Sequence, residues 1–375
     1  MMKHALRPVL VLVLALLLLP ASALAVKLTS FSVTARDVTD SGDLSAISWY
    51  KSSKQYVLFL PSSADASRLR VWFKGPDTLT LDGTEISSGD LYSFTPGSTV
   101  TVTNGKTSYT LSVMQSANLG EVHVKTASGK LTWIESKKGR EEEGEILIMD
   151  VDGKEITRQA LTQIKGHGNS SFNFTKKNYQ IKLESGKNLF GMGKSKTWLL
   201  VGNYRDKSYL RNKITYDMAK YVGMKYTAEL EFVDLYVNGE YRGIYALTEK
   251  VQIGPSRIDI TDLEKATEDL NGGDLSKFHR AGYDTAKKGM GKYYNIPNDP
   301  EDITGGYLVE MKTYKERYQE AVSAYCTKRG MTVDITGPRR VSKAQYEYLT
   351  TLLQQFENAI FAKNGVDSVS GKHYT

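Results

Sequence analysis

Short runs of alternating apolar and polar positions dominate the first third of the chain. Tyr56-Val57-Leu58-Phe59-Leu60, Leu69-Arg70-Val71-Trp72-Phe73, Ser98-Thr99-Val100-Thr101-Val102 and Ser108-Tyr109-Thr110-Leu111-Ser112-Val113 are rich in β-branched and aromatic residues. Gly75-Pro76-Asp77, Leu81-Asp82-Gly83 and Asn104-Gly105 separate them. Strands punctuated in this way predict a small β-sandwich over residues 26–117, with Asn104-Gly105 closing a tight hairpin. No acid, base or metal cluster stands out there, so a spacer or adhesion role is expected.

A second β-rich region opens at Asn118 with the strand Gly120-Glu121-Val122-His123-Val124. The charged run Lys137–Glu143 reads as a solvated turn, and strands follow at Glu145–Asp150 and around Thr162–Lys165. In Tyr179-Gln180-Ile181-Lys182-Leu183, alternation sets Tyr179, Ile181 and Leu183 on one face and Lys182 on the other. A helix is expected from Asp206, its N-cap, to Gly223. At about 100° per residue, Leu210, Ile214, Met218 and Tyr221 form one stripe, with Arg211 at its edge. An arginine turned toward a core needs an anion: a structural carboxylate such as Asp234 or Glu249, or a ligand phosphate.

Leu230–Val237 and Glu240–Val251 read as a hairpin across Asn238-Gly239. A plain two-residue loop sets Asp234 opposite Gly243 and Phe232 opposite Tyr245, so that Asp234, Tyr245, Leu247 and Glu249 share a face with Lys182 or Arg211 as partner. The polar stretch Asp262–Gly305 reads as a long surface insertion. Beyond it, Gly306–Met311 is a strand carrying Glu310, and Tyr348, Leu352, Phe356 and Ile360 recur at helical spacing.

Composition narrows the setting. With 375 residues, 40% apolar and 24% charged, the chain is globular rather than disordered. Lys3 and Arg7, the apolar run Val9–Leu19 and Ala23-Leu24-Ala25 read as a signal peptide of residues 1–25 cleaved after Ala25. The run is too short to span a bilayer. A secreted or cell-surface product with no membrane span after cleavage is therefore expected. The single cysteine, Cys326, allows no intramolecular disulfide. Losing Lys3 and Arg7 lowers the formal charge from +7 to +5. The basic residues are dispersed, so nucleic acid is not an expected partner. The five histidines show no zinc-ligand spacing.

The chemistry concentrates between residues 163 and 260. A glycine-bearing turn, Gly166-His167-Gly168-Asn169-Ser170-Ser171, precedes a strand lysine, and a later hairpin ends in a glutamate. Two glycines let backbone N–H groups approach an anion, a strand lysine offers an ammonium at fixed reach, and a carboxylate can orient it.

These residues resemble a known family when taken together with Lys176-Lys177-Asn178-Tyr179, Leu189-Phe190-Gly191-Met192, Leu210-Arg211-Asn212-Lys213, Val237-Asn238-Gly239-Glu240-Tyr241-Arg242-Gly243-Ile244-Tyr245, Leu247-Thr248-Glu249-Lys250 and Gly305-Gly306-Tyr307-Leu308-Val309-Glu310. The resemblance is to the spore-coat protein H (CotH) kinase family, over about residues 118–375. It implies an α+β chain in which an all-β sandwich precedes an atypical protein-kinase-like domain. It further implies transfer of the ATP γ-phosphoryl group to Ser or Thr of protein substrates, with Mg2+ or Mn2+. Gly166, Gly168, Asn169 and Ser170 are then expected at the phosphates, Lys182 on phosphate, and Glu249 positioning Lys182. Arg211 and Glu310 match family motifs and join the expected nucleotide-binding set.

Two departures accompany the resemblance. His167 stands where the family usually has arginine. The family's aspartate-bearing motif, which supplies metal-binding and catalytic carboxylates, is expected beyond Thr375, so the domain reads as C-terminally incomplete and its catalytic and metal residues are unassigned. Substitutes would have to come from Asp234, Glu249 or Glu310. The competing expectation is a non-catalytic extracellular binding or adhesion protein that reuses the fold.

Overall fold

The computed structural model describes residues 26–312 and 316–374. The expected signal peptide, residues 1–25, lies outside them. Contacts divide the chain into two compact units, one ending at Val251 and the other beginning at Gln252.

Seven strands build the centre of the first unit: β1 (Gly120–Thr126), β2 (Glu141–Met149), β3 (Glu155–His167), β4 (Asn178–Asn188), β5 (Lys194–Val201), β6 (Leu230–Val237) and β7 (Glu240–Glu249). Neighbours pair in the order β5-β4-β3-β2-β1-β6-β7, and β5 also pairs with β7, so the sheet closes into a barrel. Closure leaves no open edge to seek another strand. The β1–β6 pair is parallel and the others antiparallel. Period-2 alternation turns Val122, Ile146, Ile181, Trp198, Leu235 and Leu247 into a single buried cluster inside the ring. Full burial of each such side chain stabilises the fold by roughly 1.5–3 kcal/mol.

The hairpin β6–β7 forms across Asn238-Gly239 as expected, but a bulge between Leu235 and Tyr236 shifts the register. Asp234 therefore pairs with Ile244, not Gly243, and Val233 rather than Phe232 faces Tyr245. One extra residue reverses which side chains share a face. Tyr245 and Leu247 point into the barrel. Asp234 points outward, yet it is fully buried.

What buries Asp234 is the sandwich. One sheet of the sandwich contains Ser30–Ala35, Leu69–Lys74, Ile47–Ser48 and Leu91–Tyr92. The facing sheet has six strands, with the Asn104-Gly105 hairpin inside it. Tyr236 leaves the barrel wall to join the sandwich core of Phe31, Leu58, Val71 and Val102. Its hydroxyl donates to the Phe59 carbonyl at 3.2 Å, and Phe59 stacks on Tyr241 at 3.9 Å.

Helix α1 (Thr132–Ser136) buries Ile134, whereas helix α2 (Arg211–Tyr221) has no fully buried residue and half-buries only Lys213, Tyr216 and Ala219. Leu210, Ile214, Met218 and Tyr221, the expected core stripe, are 46%, 55%, 61% and 91% exposed. Arg211 is exposed with them. Among the described residues no helix is long and apolar enough to cross a membrane.

The second unit carries a five-stranded sheet in the order Arg280–Gly282, Gly291–Tyr294, Ser323–Cys326, Thr332–Gly337, Leu308–Lys312. Its first part corrects the expected surface insertion. Asp262 caps a helix, Leu263–Leu270, that buries Leu263 and Thr267. Lys292 is buried, and its ammonium donates to the carbonyls of Tyr318, Gln319 and Ala321. The final helix, Lys343–Phe361, starts at a Ser342–Gln345 capping box. It buries Gln345, Leu349, Gln354 and Glu357 while Ile360 is exposed, so the buried face is not the one that apolar spacing marks.

Candidate functional site

Strands β3 and β4 run antiparallel up to His167 opposite Asn178, and a 3-10 turn, Ser170–Asn173, links them. Both glycines are demanded locally. A Cβ on Gly166 would lie 2.3 Å from the Phe172 ring, and Gly168 has φ +106° with Ser171 Oγ 2.1 Å from where a Cβ would stand. Asn178 fixes the base of the turn: its Oδ1 accepts the Gly202 N–H at 2.8 Å, and its Nδ2 donates to Ser171 Oγ at 3.3 Å. Asn169 and Ser170 are left exposed at the tip, where Lys138 Nζ donates to Asn169 Oδ1 at 2.6 Å.

Below the turn, alternation sends Lys165, His167, Gln180 and Lys182 to the outer face of the barrel wall. Lys165 stands opposite Gln180, and Gln163 opposite Lys182. The polar atoms form a chain: Gln180 Nε2 donates to Gln163 Oε1 at 2.8 Å, and Gln163 Nε2 donates to Glu141 Oε2 at 2.7 Å. Lys165 Nζ is 3.6 Å from the same Glu141 oxygen. His167 is held below the ordinary histidine range, chiefly by burial and then by the positive charges of Lys250, Lys138 and Lys165. The turn is thus an electropositive corner, suited to an anion.

Other motif residues close the end of the barrel. Lys176 Nζ donates to the Ile244 carbonyl and, at 3.0 Å, to Tyr209 Oη, and it lies 4.6 Å from the Tyr245 ring centre. Tyr179 Oη donates to Glu135 of α1, whose carboxylate also lies 3.7 Å from Arg242. Tyr245 Oη donates to the Lys177 carbonyl at 2.9 Å, and Lys177 Nζ donates to the Phe172 carbonyl at 2.6 Å. Burial first, and then the neighbouring Tyr245 and Glu135, push the Tyr179 phenol far above its ordinary range. This cluster ties α1, the glycine turn and β7 together.

Of the residues named from sequence, Gly166, Gly168, Asn169 and Ser170 form the end of β3 and its turn, whereas Lys182 stands farther down the outer face of β4, opposite Gln163. Glu249 does not meet Lys182. Lys182 is on the outward row of β4, whereas Glu249 continues the inward row of Tyr245 and Leu247 to the strand end, where its Oε2 accepts the Glu229 N–H at 2.9 Å. Arg211 lies on exposed α2, with its Nε 3.6 Å from Asp206 Oδ1. Asp206 Oδ2 also accepts the Arg211 N–H at 3.0 Å, anchoring the start of that helix. Glu310 belongs to the second unit, where Lys312 pairs with it. Among the described residues no three His, Cys, Asp or Glu side chains gather as metal ligands. The described residues thus offer no all-protein cage for a divalent metal.

Sequence reasoning missed Lys138, Lys165, Lys250 and Glu135. Lys165 was legible, since it stands two positions before His167 on one strand. Lys138 and Glu135 come from a separate connection that only the folded barrel brings to the turn.

No curated protein matches the chain. Among solved structures, it is similar to a candidate glycoside hydrolase from Bacteroides thetaiotaomicron VPI-5482, with 15% identity and TM-score 0.18 over 50% of this chain and 56% of that one. It is also similar to a DUF4623 family protein from Bacteroides eggerthii DSM 20697, with 9% identity and TM-score 0.17 over 47% of this chain and 46% of that one. The matches thus span about half the length of those two structures, and at such TM-scores neither likeness bears on the fold. The family model described as CotH kinase protein matches residues 164–366, more than half of the chain, from the strand entering the glycine turn through the final helix. The chain belongs to the CotH kinase protein family.

Proposed function

We propose that this protein is a secreted, kinase-like member of the family that binds ATP at the glycine turn and transfers its γ-phosphoryl group to Ser or Thr hydroxyls of protein substrates. The observation that carries the reading is the electropositive corner around His167, where Lys138, Lys165 and Lys250 converge beside the sterically required Gly166 and Gly168. Such a corner fits a polyphosphate. The exposed Lys182 continues the same outer face and adds a further ammonium for the phosphates. When bound, ATP supplies the transferable phosphoryl group; the chain's own part is to hold and neutralise its charge.

The test is ATP binding and phosphate incorporation into serine- and threonine-containing protein acceptors by the mature protein, beside Lys182→Ala. Wild-type binding that weakens about tenfold or more in the variant supports the assignment, in line with the loss of one charge-assisted contact. Failure of the wild type to bind ATP overturns it.

A second reading, an extracellular binding protein that keeps the fold without transferring phosphate, draws on the sandwich joined to the barrel through Tyr236 and Phe59. ATP binding with no phosphate incorporation would favour it.

A further inference from the structure

His167 is the one group of the electropositive corner whose charge can change near neutral pH. Its position is set by geometry. It shares the outward row of β3 with Lys165, lies opposite Asn178 of β4, and sits two residues before Asn169, which Lys138 holds. Lys250, just past the end of β7, also acts on it. Glu141 of β2 is already engaged by Lys165 at 3.6 Å and Gln163 at 2.7 Å. Burial, and then the positive charges of Lys250, Lys138 and Lys165, hold the imidazole below the ordinary histidine range, so the free protein disfavours its protonation at this half-buried site.

We propose that His167 makes anion binding at the glycine turn proton-coupled: a polyphosphate bound there draws a proton from solvent onto the imidazole, which then contributes a charge-assisted contact, so affinity rises as pH falls. The proposal rests on the reading of the turn as a polyphosphate site. The step forms and breaks no covalent bond other than the N–H gained by the imidazole from solvent. The sign follows from linkage: a ligand that favours the protonated form takes up protons on binding, and lowering the pH strengthens it by mass action.

The experiment is calorimetric titration of wild type and His167→Gln with ATP and with inorganic triphosphate at pH 5.5, 7 and 8.5, in buffers of differing ionisation enthalpy. Protonation of the ligand itself is common to both proteins and cancels in the difference between them. The expected result is extra proton uptake by the wild type, and a wild-type advantage in affinity of about tenfold at pH 5.5 that vanishes at pH 8.5, one charge-assisted contact's worth. A parallel NMR titration of wild type should show the His167 ring resonance moving to a higher midpoint when triphosphate is present. Equal proton uptake and parallel pH profiles in the two proteins, or an unmoved ring resonance at saturating triphosphate, overturn the role of His167 and leave the site reading intact. No triphosphate binding by the wild type at any of the three pH values overturns both.

Discussion

Glu121 and Asp234 stand directly opposite each other on the parallel strands β1 and β6, both buried between barrel and sandwich. Glu121 is satisfied: Ser63 Oγ donates to it at 2.5 Å, and His123 Nε2 lies 2.7 Å from its other oxygen. Asp234 is not. Tyr241 donates to its Oδ1 at 2.7 Å, while its Oδ2 has no partner within hydrogen-bond geometry among the described residues, the Ser116 hydroxyl being near the carboxyl but outside that geometry. Burial raises the Asp234 carboxyl above the ordinary aspartate range; the Ser116 and Tyr241 hydroxyls oppose the rise, and Glu121 adds to it. A carboxyl whose folded-state pKa is raised contributes stability that is fully present below the unfolded-state value and is lost as pH rises through the folded value. Asp234→Asn keeps the acceptor for Tyr241 and removes the ionisation. Urea unfolding should show the variant more stable than wild type by on the order of 1 kcal/mol at pH 8, with the gain gone at pH 4. A variant less stable at pH 8 would mean that the interface uses the ionised form.

The glycine turn has a structural requirement separable from any ligand. An alanine at 166 would put its Cβ 2.3 Å from Phe172 Cε2 and 3.3 Å from the Ile134 carbonyl. The ring has little room to retreat, since Phe172 is buried with Lys177 Nζ 5.0 Å from the ring centre. Gly166→Ala should therefore cost about 1–3 kcal/mol, the usual range for overpacking. Gly166→Ala/Phe172→Ala should cost less than the sum of the two single changes, because the second substitution relieves the first. Additive losses in chemical denaturation would locate the damage elsewhere.

How much of this was legible depended on how local the cause was. Asn104-Gly105 and Asn238-Gly239 forced hairpins from two residues each, and alternation alone placed Tyr179, Ile181 and Lys182 on their faces. Barrel closure was not legible, because the β5–β7 pairing joins strands separated by α2, its flanking loops and β6. The bulge at Leu235–Tyr236 was equally hidden, and it moved Asp234 from the barrel-interior face of Tyr245 and Leu247 to the outward face. Helix α2 was found by period and placed wrongly: the face it half-buries is Lys213, Tyr216 and Ala219, not the apolar stripe of Ile214, Met218 and Tyr221. In the second unit, Lys292 and Glu357 occupy buried positions through carbonyls and side chains distant in sequence, which a reading by polarity assigns to the surface.

The exposed stripe of α2 gives a simple check. Ile214 and Met218 are more than half exposed, so replacing either with serine removes little buried apolar area. Ile214→Ser and Met218→Ser should each change unfolding free energy by no more than about 0.5 kcal/mol, as surface substitutions do. A core position would instead lose roughly 2–5 kcal/mol on comparable truncation. Losses of that size would place the stripe against a buried partner.

The relation of Lys182 to Glu249 decides how far the logic of a strand lysine held by a carboxylate applies. The two residues are carried by β4 and β7, on either side of β5, with Ile181 and Glu249 both opposite Trp198. Ile181 is inward, so its neighbour Lys182 is outward, while Glu249 shares the parity of inward Leu247. The sheet itself separates ammonium from carboxylate. Lys182→Ala and Glu249→Gln should then act independently on ATP affinity, with a coupling in a double-mutant cycle within about 0.5 kcal/mol of zero. Glu249→Gln also retains an oxygen able to accept the Glu229 N–H. A coupling of about 1.5 kcal/mol or more would show that the two side chains meet in the ATP-bound protein, through a change in the strand end of β7.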